Sequence, residues 1–222
     1  MNKVLVLAPH PDDETLGCGG TLLRHKKDGD EIHWLIGTIL KEDSGFTKKR
    51  VRQRQLEIEK VAKMYGFNDV YDLGLPTMKV DSFPMELIIT KITEVINKAK
   101  PNILYLPFKG DIHSDHRVLF NAAFSCTKIF RHPFIKKILM MEVISETEFA
   151  PNLSEHAFTP NYFVNITDFW ELKIKIMKLY RGEMSNHPFP RSIENIKALA
   201  MFRGAQAGVK YAESFMLLKE IV

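Results

Sequence analysis

Hydrophobic residues in this chain form short continuous runs, separated by longer stretches in which apolar positions recur every three or four residues. Continuous apolar runs predict buried strands, because a strand covered on both faces needs no polar alternation. Recurrence at helical spacing predicts amphipathic helices, and the clearest of them, Lys48–Tyr65, is followed by Gly66, a residue typical of helix ends. The predicted strands are residues 3–7, 32–39, 70–73, 103–106, 138–144, 162–165 and 214–222.

Helical segments stand between most of these strands, at residues 20–27, 48–65, 86–100, 116–127, 169–180 and 193–203. This alternation predicts an α/β fold, a Rossmann-like three-layer domain with a mainly parallel sheet flanked by helices. No linker rich in Pro, Gly or Ser interrupts the pattern, so we expect residues 1–222 to form a single domain. Ligands of such sheets collect at the carboxyl ends of the strands. We therefore expect the loops 40–47, 74–84 and 183–191 to form the walls of a pocket.

Composition narrows the class of protein only slightly. The 222 residues carry a formal net charge of +4, and the densest basic cluster lies among glutamates in the predicted helix 48–65. A solvated helix face explains that cluster, so we expect no nucleic-acid partner, although a small positive excess would suit a substrate that carries phosphate. We see no transmembrane segment and no signal sequence, and we expect a cytoplasmic location. Cys18 and Cys126 share no motif and predict no disulfide framework.

Two polar clusters follow two of the predicted strands. His10 and Asp13 come after the first strand, and a second cluster, 111–116, ends in His116 after the strand 103–106. We expect His10, Asp13 and His116 to converge on one divalent cation. Two imidazoles and one carboxylate leave coordination positions open, as in a catalytic zinc site. The same donors suit non-haem iron(II), so the residue types alone do not decide the metal.

Each cluster also contains a residue left over from the predicted metal site. Asp12, beside Asp13, is a candidate general base, and His113 is a candidate imidazolium that stabilises an oxyanion or protonates a leaving amine. We expect Asp115 to orient His113 and to raise its pKa. The alternative is that the acidic residues 12–14 only cap the following helix. Histidines in both clusters favour the metal site.

The glycine-rich segment 17–20 lies between the first strand and the first helix. Such a turn can cradle phosphate, but it has neither the Gly-x-Gly-x-x-Gly spacing nor a Gly-Lys-Ser/Thr ending. Close backbone packing beside the candidate metal turn is the interpretation that we favour.

At this point the sequence resembles a known family, the PIG-L (LmbE-like) N-deacetylases. The family motif Ala-His-Pro-Asp-Asp-Glu corresponds to Ala8-Pro-His-Pro-Asp-Asp-Glu14, with one additional residue between Ala and His. Its second motif, His-x-Asp-His, corresponds to His113-Ser-Asp-His116. The resemblance extends through residues 16–20, the helix that bears Arg54 and Glu57, and residues 203–215.

The resemblance implies zinc (Zn2+) held by His10, Asp13 and His116, with Asp12 as the base and His113 working with Asp115. Members hydrolyse the acetamide of N-acetylglucosamine-type units attached to inositol, thiol precursors, lipids or nucleotides. They are often multimeric, so a homo-oligomer is compatible with the resemblance. A residue matching Arg54 binds substrate or stabilises the oxyanion in some members; the alternative is a surface arginine.

Segment 183–192 looks like one found in bacterial members linked to cell-surface sugar synthesis. There His187 and Arg191 would contact the substrate, although a His-Pro pair in a loop is more often a simple turn. Glu146 and Glu148 follow a predicted strand, and we interpret them as solvated loop charges.

The sequence therefore predicts a metal-dependent N-deacetylase, an enzyme that hydrolyses the acetamide of an N-acetylated amino sugar to acetate and a free amine. The expected partner is a small N-acetylated sugar, including nucleotide- or lipid-linked forms. Three alternatives remain: an amidase of a thiol-sugar conjugate, an iron(II) oxygenase that uses the same ligand set, and a non-catalytic domain with a structural metal. The α/β pattern argues against the oxygenase, and the spare acid and imidazole argue against the structural metal.

Overall fold

The computed structural model describes residues 1–151 and 153–222 and contains, within them, seven strands and six α-helices. The strands are β1 (Lys3–Ala8), β2 (Glu31–Ile39), β3 (Asp69–Pro76), β4 (Ile103–Pro107), β5 (Lys137–Met141), β6 (Tyr162–Asn165) and β7 (Ala212–Glu220). The helices are α1 (Asp13–Lys27), α2 (Lys48–Tyr65), α3 (Met85–Ala99), α4 (Ser114–Ser125), α5 (Trp170–Met177) and α6 (Ile193–Ala207).

All seven strands belong to one sheet, in the order β3-β2-β1-β4-β5-β7-β6. Strands β1 to β5 pair in parallel, and β7 runs antiparallel to both β5 and β6. Strand β1 lies at the centre, where Val4 pairs with Ile32 of β2 on one side and with Ile103 of β4 on the other. The predicted mainly parallel sheet is confirmed.

Successive side chains of β1 point to opposite faces of the sheet, and each face has its own hydrophobic core. Val4 and Val6 pack into a core with apolar residues of α1, α2, α5 and α6. Leu5 and Leu7 pack into a second core with residues of α3 and α4. Helices thus cover both faces, which confirms the three-layer architecture and explains why β1 is apolar at every position after Lys3.

Strands β1 and β4 are neighbours in the sheet although β2 and β3 separate them along the chain. The direction in which the chain progresses across the sheet reverses between them, and this reversal opens a crevice at their carboxyl ends. Both polar clusters of the sequence follow these two strands. The topology therefore brings the clusters together.

Helix α1 begins at Asp13, earlier than the glycine-rich segment suggests, and is interrupted at Cys18, where φ is −145° and ψ is 22°. The interruption frees backbone N–H groups inside the helix. The carboxylate of Glu213, on β7, accepts hydrogen bonds from the N–H groups of Gly20 (2.8 Å) and Thr21 (2.7 Å) and pairs with Lys173 Nζ at 2.8 Å. The donors that would cradle a phosphate are therefore already satisfied.

Two glycines of this segment are required by close packing. A Cβ atom at Gly19 would lie 2.5 Å from the hydroxyl of Tyr65, and one at Gly20 would lie 2.6 Å from Ile166. Neighbouring helix α2 and the segment before α5 therefore approach α1 closely at these positions, as the favoured interpretation of the segment predicts.

Both cysteines are buried free thiols. Among the helices in the described part of the chain, none combines the length and the apolar character that a membrane crossing requires.

Candidate metal centre and active site

The loop between β1 and α1 and the first turn of α4 meet at the crevice between β1 and β4. His10 lies in the loop, Asp13 is the first residue of α1, and His116 is in the first turn of α4. Asp13 and His116 are buried, and His10 is half-buried. The Asp13 carboxylate is fixed locally, because its Oδ2 accepts a hydrogen bond of 2.8 Å from the backbone N–H of His10.

One atom from each of these three side chains forms a nearly equilateral triangle. The distances are 3.4 Å from His10 Nδ1 to Asp13 Oδ2, 3.2 Å from His116 Nε2 to Asp13 Oδ2, and 3.3 Å from His116 Nε2 to His10 Nδ1. With zinc bonds of about 2.0–2.1 Å, two ligand atoms of a tetrahedral site lie about 3.3–3.4 Å apart. The three donors predicted from the sequence therefore fit a single small divalent cation.

A carboxylate stands behind each of the two imidazoles. Asp115 Oδ2 lies 3.1 Å from His10 Nε2, and Asp111 Oδ2 lies 2.8 Å from His116 Nδ1. Asp111 is itself held by the hydroxyl of Thr147, which donates to its Oδ1 at 2.7 Å. A carboxylate on the distal nitrogen orients a ligand imidazole and makes it a stronger donor. Both imidazoles thus have the support expected of metal ligands, and the part played by Asp111 was not predicted.

The expected role of Asp115 needs correction. Its carboxylate is 3.9 Å from His113 Nδ1 but hydrogen-bonds to His10 and to the backbone N–H of Met78, which donates at 2.7 Å. Its backbone N–H, rather than its side chain, meets His113, donating to Nδ1 at 3.1 Å. Asp115 therefore orients the candidate ligand His10, not His113.

The expected charge of His113 also needs correction. Burial, and next the neighbouring His10, lower the pKa of His113 to about 4, and the opposing effect of Asp115 is smaller. Because Nδ1 accepts a hydrogen bond, the proton of the neutral ring lies on Nε2. His113 is therefore a neutral imidazole that can donate a hydrogen bond from Nε2.

The carboxylates of Asp13, Asp111 and Asp115 are all buried at this centre. Buried negative charges require a positive charge close to them. Burial alone would raise the pKa of Asp13, but His116 and His10 together hold it well below its usual range. Burial alone would lower the pKa of His10, but hydrogen bonds with Asp115 and Asp13 outweigh this effect and raise the pKa to about 9. The two imidazoles supply the positive charge in the protein alone, and a divalent cation would supply it in their place.

A second set of donors, His10, His113 and Asp115, also lies within 4.8 Å of one another. Its atoms are less available. The Asp115 carboxylate already accepts hydrogen bonds from the N–H groups of Met78 and Val80, and His113 Nδ1 accepts one from Asp115. We therefore regard the triangle of His10, Asp13 and His116 as the candidate metal centre.

Asp12 immediately precedes α1 but does not cap it: its side chain makes no hydrogen bond with the helix. Its φ angle is 142°, a strained conformation for a non-glycine residue. Burial, and next the negative charges of Asp13 and Glu183, raise the pKa of Asp12 well above its usual range. A carboxylate that holds a proton more readily than usual, beside a metal centre, has the property required of a general base. The helix-cap alternative is wrong for Asp12.

Glu14 stabilises the strained turn, a role that the sequence did not suggest. Its carboxylate accepts hydrogen bonds from the backbone N–H of Asp12 (3.0 Å) and from the hydroxyls of Thr15 (2.6 Å) and Tyr180 (2.7 Å). Burial raises its pKa to about 7 despite these bonds. The glutamate of the first motif therefore holds the backbone that positions Asp12.

A cavity of about 310 Å³ opens over the candidate metal centre. His10, Asp12, Asp13 and His113 lie in its floor. Its walls include residues of all three loops predicted as pocket walls, which contribute Leu40, Thr77, Met78, Glu183 and Arg191. The prediction of the pocket walls is confirmed.

Arg54, on α2, lines this cavity and is buried. Its Nη1 donates a 2.6 Å hydrogen bond to the carbonyl oxygen of Pro11, its Nη2 pairs with Glu183, and its guanidinium lies over the ring of Tyr180. The alternative of a surface arginine is wrong. The contact with Pro11 shows that Arg54 holds the loop between His10 and Asp12.

Of the two residues in segment 183–192 that were predicted to contact the substrate, one lines the cavity and the other does not. Arg191 lines the cavity, with its Nη1 3.3 Å from Asp12 Oδ2 and its Nη2 3.3 Å from Glu183 Oε2. His187 is exposed, lies 3.2 Å from Asn195 Oδ1 through its Nδ1, and does not line the cavity. Placing His187 at the substrate was therefore incorrect, because the chain between Glu183 and Arg191 turns outward.

Glu146 also corrects a prediction. It is half-buried and lines the cavity, whereas Glu148 does not line it. Burial raises the pKa of Glu146 to about 7, and the charges of His116, Asp13 and His10 also act on this pKa. It is thus part of the cavity wall and not a solvated loop charge.

Buried donors suited to a divalent cation, with a spare carboxylate and a neutral imidazole beside them, form the arrangement of a metal-dependent hydrolytic enzyme. The comparison with known families agrees. The chain belongs to the family described as PIG-L, GlcNAc-PI de-N-acetylase, whose pattern matches residues 5–127. The predicted resemblance is confirmed.

Two relatives and one solved structure show how far the similarity extends. The diacetylchitobiose deacetylase of Thermococcus kodakarensis is 24% identical over 231 residues, which cover all of this chain and 85% of that protein. The probable N-acetyl-alpha-D-glucosaminyl L-malate deacetylase 2 of Bacillus cereus is 25% identical over 168 residues, which cover 68% of this chain and 76% of the relative.

The crystal structure of the 4-carboxy-2-hydroxymuconate hydratase of Pseudomonas putida superposes with a TM-score of 0.76 at 18% identity, covering 100% of this chain and 98% of that one. This likeness shows the fold alone. The same fold thus occurs in a protein named as a hydratase and in proteins named as deacetylases, so the reaction has to be argued from side chains.

Proposed function

We propose that this protein is a zinc-dependent N-deacetylase, which hydrolyses the acetamide of an N-acetylglucosamine-type amino sugar to acetate and a free amine. The observation that carries the proposal is the triangle of donor atoms from His10, Asp13 and His116, with Asp12 and His113 beside it in the cavity floor. Family membership and the two named deacetylases support an acetyl group as the acyl group that is removed.

His10, Asp13 and His116 would hold the zinc ion, and Asp111 and Asp115 would orient the two imidazoles. Zinc in such a site supplies Lewis acidity, which polarises a carbonyl oxygen and makes water a stronger acid. The chain's own residues account for the remaining steps.

Asp12 takes a proton from the water that attacks the acetyl carbon. Arg191 Nη1 contacts Oδ2 of Asp12, and among the hydrogen bonds of the described residues none involves Oδ1. Oδ1 is thus the oxygen available to accept the proton. The raised pKa of Asp12 favours this acceptance.

His113 donates a hydrogen bond from Nε2 to the carbonyl oxygen as that oxygen becomes negatively charged. The hydrogen bond from the backbone of Asp115 fixes Nδ1 as an acceptor and so fixes the tautomer. A donor held in place before the reaction stabilises the developing charge without reorganisation.

Asp12 carries one proton from the attacking water to the leaving amine. Since neutral His113 has no proton to spare, Asp12 passes the proton it received to the sugar nitrogen as the C–N bond breaks. The second proton of the attacking water leaves with the acetic acid, which ionises in solution. Arg54 acts in these steps as a positioning residue, because its contact with the carbonyl of Pro11 supports the loop that carries Asp12.

A metal-reconstituted enzyme assay tests the proposal. The purified protein is stripped of metal, loaded with one equivalent of zinc, and incubated with methyl N-acetylglucosaminide, N,N'-diacetylchitobiose and a thiol-sugar conjugate. We expect acetate and free amine in equal amounts from at least one N-acetyl sugar, no oxygen consumption, and loss of activity on chelation. The Asp12→Asn variant is the control for contaminating deacetylases.

The proposal fails if the zinc-loaded protein releases no acetate from any of these compounds. It also fails if the Asp12→Asn protein, prepared in the same way, releases acetate at the rate of the unsubstituted protein.

A further inference from the structure

The cavity over the candidate metal centre has an unusual balance of charge. Within the described part of the chain, its only Arg or Lys side chains are Arg54 and Arg191. Both are already paired: Arg54 with Glu183 and the carbonyl of Pro11, and Arg191 with Asp12 and Glu183. These contacts leave neither guanidinium facing the cavity as an unengaged cation. Within the described part of the chain, the cavity wall therefore offers no basic side chain free of a carboxylate partner, and a phosphate or carboxylate would have to compete with Glu183 and Asp12 for these two.

Glu146 faces the same cavity as a carboxylate without a partner. Among the described residues, no side chain pairs with it, and the bonds of this residue are made by its backbone, whose oxygen accepts from Ile112 and whose N–H donates to Val143. The oxygens of this half-buried carboxylate remain accessible from the cavity, so hydroxyl donors of a ligand can take the place of water on them. Sugar hydroxyls are such donors.

We infer that Glu146 accepts hydrogen bonds from hydroxyl groups of the bound sugar and that the cavity selects uncharged N-acetyl sugars over those that carry phosphate or carboxylate. The inference rests on the proposed function and narrows it. It distinguishes the two kinds of substrate for which the relatives are named, a neutral disaccharide and a malate conjugate.

The two halves of the inference have one physical origin. A carboxylate that accepts from hydroxyls repels an anion brought to the same wall, and the paired arginines do not offset this repulsion. The slight positive excess of the whole chain, which would suit a phosphate, does not extend to this cavity.

An alternative role for Glu146 is that of a further metal ligand. The donor groups that lie within 4.8 Å of one another contain His10, Asp13, His113, Asp115 and His116 but not Glu146. A Gln at position 146 should therefore leave zinc content unchanged, and this measurement separates substrate recognition from metal binding.

The experiment compares methyl N-acetylglucosaminide with N-acetylglucosamine 6-phosphate and N-acetylglucosamine 1-phosphate. Three zinc-loaded proteins are assayed: the unsubstituted protein, Glu146→Gln and Glu148→Gln. The last is the matched control, because Glu148 is in the same loop, does not line the cavity, and as Gln still accepts from Ser145 N–H. Binding of each sugar is also measured by calorimetry, which does not depend on turnover.

We expect the unsubstituted protein to prefer the neutral glycoside by about a hundredfold in kcat/KM, because bringing like charges together at a binding surface is unfavourable. Glu146→Gln should lower kcat/KM for that glycoside by about tenfold or more, mainly through KM, since hydrogen bonds to charged groups are worth about that factor. Glu146→Gln should also lower the ratio of kcat/KM for the neutral glycoside to kcat/KM for the phosphates. Glu148→Gln should behave like the unsubstituted protein, and zinc content should be equal in all three.

Equal or better use of either phosphate by the unsubstituted protein would overturn the inference. So would a Glu146→Gln protein that matches Glu148→Gln, or one that loses zinc. If none of the sugars is hydrolysed, the proposed function fails. Calorimetry then tests the inference separately. The inference holds if the unsubstituted protein binds the neutral glycoside more tightly than the phosphates and if Glu146→Gln loses this preference.

Discussion

The two sides of the cavity are built differently. On the side formed by the ends of β1 and β4, Asp13 and His116 are buried, and Asp111 and Asp115, which are fully buried, support the imidazoles. On the facing side, Glu183 and Arg191 are about one-fifth exposed and are held by ion pairs with each other, Arg50, Arg54 and Asp12. Glu146 follows β5, where its backbone oxygen accepts a hydrogen bond from Ile112 N–H, and among the described residues its carboxylate has no ion-pair partner.

This difference assigns different tasks to the two sides. Donor atoms held to within a few tenths of an ångström suit a metal ion, whose geometry tolerates little displacement. Side chains on loops, satisfied in part by one another, can exchange those contacts for contacts with a ligand. We therefore expect substitutions on the β1/β4 side to affect metal and chemistry, and those on the facing side to affect the choice of substrate.

The largest effect should come from His116→Ala. Removing one of three donors should abolish stoichiometric zinc binding and reduce deacetylation by more than about a thousandfold, because the metal contributes several kcal/mol. Zinc is measured by elemental analysis after gel filtration, and activity by acetate release.

His187→Ala is the matched control for this loss. His187 is exposed and outside the cavity, so the variant should keep both zinc and activity. If instead His116→Ala retained a full equivalent of zinc, the two sides would not differ as we describe.

Asp12→Asn should be next in size. The substitution keeps the shape of the side chain, and Asn tolerates positive φ, but it removes the proton acceptor; we expect kcat to fall by about 10²–10⁴. Zinc content should stay at one equivalent. A loss of zinc in parallel with activity would mean that Asp12 supports the metal centre and is not a base.

The sequence predicts the β1/β4 side better than the facing side, for a physical reason. His10, Asp12 and Asp13 occupy one turn, and His113 and His116 another, so short spacing after an apolar run already groups them. Parallel strands end at one edge of the sheet, which brings the two turns together. The order of elements, the parallel sheet and the bounds of α2 follow from the same hydrophobic pattern.

What the sequence could not predict depends on contacts between distant segments. Asp115 is only two positions from His113 in sequence, yet its carboxylate turns toward His10, 105 positions away. The same holds for Glu213, which satisfies the interrupted helix α1 from β7. His187 and Glu146 were misplaced because loop direction and exposure have no short-range signature.

His113→Ala should have a smaller effect, a loss of about a hundredfold in kcat with zinc retained, the usual effect of deleting one donor to a developing oxyanion. His113→Gln sharpens this test, because an amide can donate a neutral hydrogen bond but cannot carry a proton. If Gln restores part of the lost rate, a neutral donor suffices. A rate for Gln no better than Ala, with normal zinc content, would favour an imidazolium instead.

The smallest effect should come from Asp115→Asn, which changes the support of a ligand and not the ligand itself. Met78 N–H donates to Oδ2 and Val80 N–H to Oδ1, so the single amide oxygen of Asn can keep one of these two hydrogen bonds, and circular dichroism checks that the variant still folds. The weaker interaction with His10 should lower zinc affinity by about ten- to a hundredfold, while kcat at saturating zinc changes little. Chelator competition measures the affinity. Asp168→Asn, at an exposed position, is the control and should change neither quantity. If kcat at saturating zinc fell and zinc affinity did not, Asp115 would act through His113 and not through the candidate ligand His10.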